Sequence, residues 1–196
     1  MDGDKVEVLQ RAIGPREDVH IYRGDCNVIL PTTVFPQISY DRYRRGLCLL
    51  DPYGLQLNWD VIHAAGASRT IDLFLNFQIV DANRNALWRD PERVSPAQAA
   101  RMTATWGDDS WRRILYRQKA QMNLFGTEEE KLSNEEVAEA FRKRLRAVGG
   151  FEYVPKPIPM RNSIGAVIYY LYFASQKGVA HDIVDSIFRK YETRGA

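Results

Sequence analysis

Apolar residues fall along this chain in short runs and in spaced stripes. Leu47-Cys48-Leu49-Leu50 is an unbroken run that stops at Asp51-Pro52-Tyr53-Gly54. Ile71-Asp72-Leu73-Phe74-Leu75-Asn76-Phe77 also ends in a polar residue followed by an aromatic. Runs of this length read as buried parallel strands. Between them, Asn58 is placed to cap a helix running to about Ala65, with Trp59, Ile62 and Ala65 on one face. Strand, helix, strand with a tight connection is a βαβ unit, so the two strands are predicted to be parallel neighbours.

The flanking segments extend this pattern. Met1 to Asp4 reads as a turn, and Lys5 to Ile13 carries Val6, Leu9 and Ile13 at a helical period ended by Gly14-Pro15. Val19 to Tyr22 reads as a short strand closed by Gly24-Asp25, and Ile29-Leu30-Pro31 as the start of a loop. Ser95-Pro96-Ala97-Gln98 and Ser133-Asn134-Glu135-Glu136 are capping boxes that open helices. The second helix is acidic first and basic last, which complements its dipole, and Gly149-Gly150 stops it. Asp109 to Lys119 has helical spacing at Trp111, Ile114 and Leu115. Phe151 to Pro159 is proline-rich and predicts an edge strand at best. Ala166 to Ser175 reads as a strand, and Ala180, Ile183, Val184, Ile187, Phe188 and Tyr191 trace the stripe of a final helix. The whole is predicted to be α/β: one domain over 1–196, with a helical insertion over about 90–148.

Composition narrows the function classes. The 196 residues are 45% hydrophobic and 27% charged, enough for one ordinary core. A net charge of +2 does not single out nucleic acid as a partner. Arg42/Arg44/Arg45, Arg112/Arg113 and Arg142 to Arg146 make RNA binding a weaker option, with a solvated helix face as the simpler reading. Cys26 and Cys48 outline no disulfide framework, and the three histidines have no metal-ligand spacing. The charged opening shows no signal peptide, and a cytoplasmic location is expected. The apolar stretch Ala166 to Ser175 is far short of the roughly 20 residues that span a bilayer.

Open α/β sheets put their chemistry outside the carboxyl ends of the strands. Three segments qualify here: Gly24-Asp25-Cys26-Asn27, Asp51-Pro52-Tyr53-Gly54 and Asn76-Phe77. They are predicted to share one rim. An Asp-Pro-aromatic turn suits group transfer onto a planar amine, because the carboxylate accepts its hydrogens, proline fixes the turn and the aromatic stacks. The same residues also make a good β-turn. Asp25 is a candidate for an adenine amino group and Asp2 or Asp4 for ribose hydroxyls, against turn capping for Asp25 and a solvated helix N-terminus for Asp2 and Asp4. Cys26, with no histidine beside it in sequence, reads as a buried structural thiol rather than a nucleophile. Asn76 fits either the pocket or a cap.

The order of these motifs resembles the bacterial three-Cys-motif partner family. The matching stretches are Tyr22-Arg23-Gly24-Asp25-Cys26-Asn27, Leu49-Leu50-Asp51-Pro52-Tyr53-Gly54-Leu55, Asp72-Leu73-Phe74-Leu75-Asn76-Phe77, Asn83-Arg84-Asn85 and Tyr169-Tyr170-Leu171-Tyr172-Phe173-Ala174-Ser175. The resemblance implies a class I methyltransferase-like, Rossmann-like sheet that binds S-adenosylmethionine, with a radical-SAM-like protein carrying a three-cysteine cluster as partner. It implies catalytic roles for Asp51, Pro52, Tyr53 and Asn76, and cofactor contacts for Asp2, Asp25 and Cys26. This chain departs from the family in two ways. It has no opening strand with a glycine-rich turn, so the first two central strands are expected to be missing and the remaining edge prone to association. Tyr53 also stands where amine methyltransferases usually carry a second proline. Two functions follow: a methyltransferase acting on a nucleobase or protein amine, or a non-catalytic module that docks the three-cysteine protein.

Overall fold

The computed structural model of the chain describes residues 3–118 and 129–191. Helices α1 (Gly3–Ile13) and α2 (Cys26–Ile29) precede β1 (Gly46–Leu50), α3 (Trp59–Ser68) and β2 (Ile71–Phe77). Helices α4 (Ile79–Asn85), α5 (Pro96–Trp106) and α6 (Trp111–Ile114) come next, then β3 (Tyr116–Gln118), β4 (Glu129–Lys131) and α7 (Asn134–Ala147). Strands β5 (Ile158–Arg161) and β6 (Val167–Ala174) and helix α8 (Gly178–Tyr191) follow. The architecture is α/β, built on a mixed four-stranded sheet of order β1-β2-β6-β5, with β3 and β4 as a separate antiparallel pair.

The central βαβ unit forms as its pattern requires. β1 and β2 are parallel, with Leu50 opposite Leu75. β6 runs antiparallel to β2 and to β5. Alternation then sorts the side chains of β2. Ile71, Leu73, Leu75 and Phe77 enter the main core, while Asp72, Phe74 and Asn76 are half-buried on the other face. Phe74 and Phe173 join Val184 and Phe188 of α8 in a smaller core there. β5 is the other edge, which accommodates Pro159.

Phe141 of α7 is the centre of the main core. Its ring stacks on Phe77 with centroids 4.5 Å apart and meets Tyr172 at 5.3 Å, Trp106 at 5.8 Å and Trp59 at 6.0 Å. One side chain thus ties α7 to α3, α5 and the middle of the sheet. Both capping boxes are made in full, from Ser95 with Gln98 and from Ser133 with Glu136. Arg144, one turn after Phe141, lies over the rings of Trp59 and Trp106. It donates to the Trp106 carbonyl and, at 2.7 Å, to Asp108. Hydrogen bonds from Ser110 and then Arg144 hold the Asp108 carboxyl down at about 2. Gly66 sits against the Gly149 carbonyl so closely that any Cβ would collide with it.

Several expectations are corrected. Val19 to Tyr22 form no strand, because no neighbouring strand reaches them and a strand is not stable alone. The loop expected from Ile29 is instead helical: α2 runs into a π turn over Leu30–Val34 and a 3₁₀ turn over Phe35–Gln37. Pro31 and Pro36 sit in the first turns of these segments, where proline is tolerated. The helix expected over Asp109 to Lys119 is confined to α6, since Tyr116 turns into β3 to pair with Lys131. Lys119 lies outside the described residues. β1 is not buried on both faces: it is the edge of the sheet, with Leu47 58% and Leu49 72% exposed. The stripe of α8 is broader than its contact, and Ile183 and Ile187 stay exposed.

Two outcomes test this core. Phe141→Ala opens a cavity among four aromatic partners and is expected to cost about 3–5 kcal/mol, read as a lower urea midpoint at constant slope. Asp108 is lowered on folding from an ordinary carboxylate value near 3.9 to about 2, so its contribution is present above about pH 4 and lost as pH falls toward 2. Asp108→Asn is expected to flatten the acid limb of the stability–pH curve in that window, modestly because the carboxylate is half-exposed.

Candidate functional site

The rim at the carboxyl ends of β1 and β2 is assembled from distant segments. The register that pairs Leu50 with Leu75 carries on to put Asp51 beside Asn76. The Asn76 amide Nδ2 donates to Asp51 Oδ1 at 2.7 Å. Asn76 therefore holds the carboxylate rather than capping the next helix. Among the described residues, neither Asp51 Oδ2 nor Asn76 Oδ1 has a hydrogen-bond partner. Each of these open acceptors can take a hydrogen of an amino group. Pro52 follows, and Tyr53 projects into solvent at 89% exposure.

The loop after Tyr53 is held from below by residues that the motifs did not single out. Asp81, in the first turn of α4, accepts the Leu55 backbone N–H at 2.8 Å. Asn85 donates to the other Asp81 oxygen at 2.7 Å, and Arg101 of α5 lies 3.4 Å from Oδ2. The carboxylate packs directly against Gly54, whose φ of 70° is the left-handed region. Both the missing side chain and the backbone conformation require glycine there. No local signal marks Asp81, because its partner lies 26 residues away. Of the Asn83-Arg84-Asn85 stretch, Asn85 serves this loop, while Asn83 bonds Asn134 and Lys131 and so fastens the helical insertion.

The segment Gly24 to Asn27 reaches the same rim as a helix start, not as a strand end. Asp25 caps α2 by accepting the Asn27 N–H at 2.9 Å. Asn27 donates to the Gln56 carbonyl at 2.9 Å and accepts the Asn58 N–H at 2.8 Å. It thereby satisfies the start of α3, where the Asn58 side chain makes no cap. Cys26 is exposed, against the expectation of a buried thiol, since α2 turns its first residue outward. The half-buried thiol is Cys48, which burial, and next the neighbouring Cys26, push up to about 11. Burial therefore keeps it mostly protonated at neutral pH, which slows its reaction there. Asp2 lies outside the described residues, and Asp4 falls in the first turn of α1.

The described residues do not fit S-adenosylmethionine at this rim. Asp25 is committed to its cap and Asn27 to the loop. The void behind Pro52 and Asn76, where the unpartnered Thr105 hydroxyl lies, measures about 10 Å³, room for a water at most. A larger hollow of about 670 Å³ opens elsewhere, along α7 of the helical insertion. Ile114, Leu132, Ala140 and Val148 form its apolar lining, with Glu135 and Lys143 along α7 and with Glu136 and Glu139 already paired to Arg117 and Arg142. Arg142 and Arg144 are turned to internal contacts with Glu139, Val154 and Trp106. Among the described residues no three His, Cys, Asp or Glu side chains gather to hold a metal, and no helix is long and apolar enough to cross a membrane.

Asp81→Ala is expected to leave the Leu55 N–H unpaired at a cost of about 1–3 kcal/mol, and to speed amide exchange at Leu55 while leaving α7 protected. Compared with protein-family models, with curated proteins and with solved structures, the chain finds no match in any of the three.

Proposed function

We propose that this chain is a non-catalytic partner module: a methyltransferase-like scaffold whose helical insertion docks a protein of the three-cysteine, radical-SAM-like class. One observation carries the reading. The void behind the rim has room for a water at most, while the hollow along α7 measures about 670 Å³ and has an apolar floor. Clefts of ~300–1,000 Å³ are the usual size for ligand pockets. This one lies along a helix and offers an apolar strip bordered by Glu135 and Lys143, which suits the apolar face of an amphipathic helix.

The Rossmann-like part of the proposal rests on the β1–α3–β2 unit and on the motifs gathered at its carboxyl end. A second reading, methyl transfer to a nucleobase or protein amine, is favoured by the Asp51–Asn76 pair. In that reading Asp51 and Asn76 bind the amine, Tyr53 stacks on its ring and Pro52 fixes the turn.

Titration calorimetry separates the two. The module reading expects no heat from S-adenosylmethionine or S-adenosylhomocysteine. It also expects Ala147→Arg, on an exposed position of the hollow, to abolish binding of the three-cysteine protein without altering the circular dichroism spectrum. Saturable cofactor binding that Asp25→Ala weakens, with unchanged docking in Ala147→Arg, would overturn it in favour of the methyltransferase.

A further inference from the structure

Among the described residues, the outer edge of β1 has no strand beside it. Gly46 sends its N–H to Thr70 on the β2 side. Alternation therefore turns the backbone groups of Gly46, Cys48 and Leu50 toward β2, and those of Leu47 and Leu49 outward. The side chains of the same two leucines are bare on the sheet face that α8 covers farther along. Asp185 and Arg189 of α8 border Ile158 of β5, so the opposite flank, with exposed Ile183 and Ile187, looks toward β1. An edge with outward hydrogen-bonding groups and adjoining apolar side chains is a template for another strand.

We propose that this edge pairs with the same edge of a second copy, antiparallel and centred on Cys48, to give a symmetric dimer with one continuous sheet. The strand is self-complementary in that register. Leu47 faces Leu49 of the other copy, and these are the residues whose N–H and C=O groups point outward, so they form the hydrogen-bonded pairs. The apolar side chains exposed in one chain cover those of the other. One step farther out, Arg45 comes opposite Asp51. Arg45 is half-exposed and 3.8 Å from Asp72, and Asp51 has an oxygen open. The flanking charges thus match in this register. Cys48 meets its own copy as a non-hydrogen-bonded pair, with Cα atoms about 4.5 Å apart, within disulfide range. The dimer also places an arginine on the carboxylate that the amine reading leaves open, so the two uses of Asp51 exclude each other.

Sedimentation velocity over a range of concentrations tests the pairing. The chain is expected to dimerise, and Leu49→Lys to leave a monomer with an unchanged circular dichroism spectrum, since Leu49 lies outside the core. Arg45→Glu is expected to raise the dissociation constant about tenfold. Adding Asp51→Arg to it should restore the dimer. In a Cys26→Ser background, diamide, which takes up the electrons and protons of the two thiols, should give a covalent dimer that Cys48→Ser abolishes. A monomer at every concentration, a dimer indifferent to Leu49→Lys, or a charge swap that fails to restore association would overturn the proposal. None of these outcomes depends on the hollow along α7, so the partner reading stands or falls separately.

Discussion

The packing of Phe141 against Phe77, Tyr172, Trp106 and Trp59 is the contact on which the rest of this fold depends. It joins the strand that ends at the rim to the helices of the insertion. Arg144 extends the same contact by lying over two of the rings and closing the Trp106 carbonyl. A buried guanidinium is tolerable only when its donors are satisfied, and here the Trp106 carbonyl, Ser110 and Asp108 satisfy them. Tyr172 completes the arrangement by donating to the Ala138 carbonyl from the fully buried side of the sheet. Helices α5 and α7 therefore pack into the main core.

That packing meets different surroundings at the two ends of the core. Along α7 it borders a hollow with an apolar lining. At the rim it supports a loop held by side chains from distant segments. Asp81 holds Leu55, Asn27 holds the start of α3, and Asn76 holds Asp51. Beside them Tyr53 stands in open solvent.

The edge formed by β1 follows from the same sheet. A parallel strand ordinarily has neighbours on both sides and helices on both faces. Here one side and part of one face are open, and the leucines that an unbroken apolar run led one to bury lie in solvent. The run was legible, but its surroundings were not. Similarly, Val19 to Tyr22 has the composition of a strand and nothing to pair with, while Pro31 masked a helical turn that Asp25 nucleates. Asp81 shows the limit most clearly, since a carboxylate that bonds a backbone amide far along the chain leaves no periodic mark.

The sequence by itself determined the elements whose stability is local or periodic: the βαβ unit around Trp59, the two capping boxes, and the amphipathic helices α7 and α8. Each is set by side-chain spacing or by hydrogen bonds within a few residues. The tertiary structure alone decided that β6 lies reversed beside β2, that β1 is an edge, that Asn76 meets Asp51 and that the hollow lies on the insertion. These depend on contacts between residues far apart in the chain, whose pairing is chosen by the packing of the whole core around Phe141 rather than by any one segment.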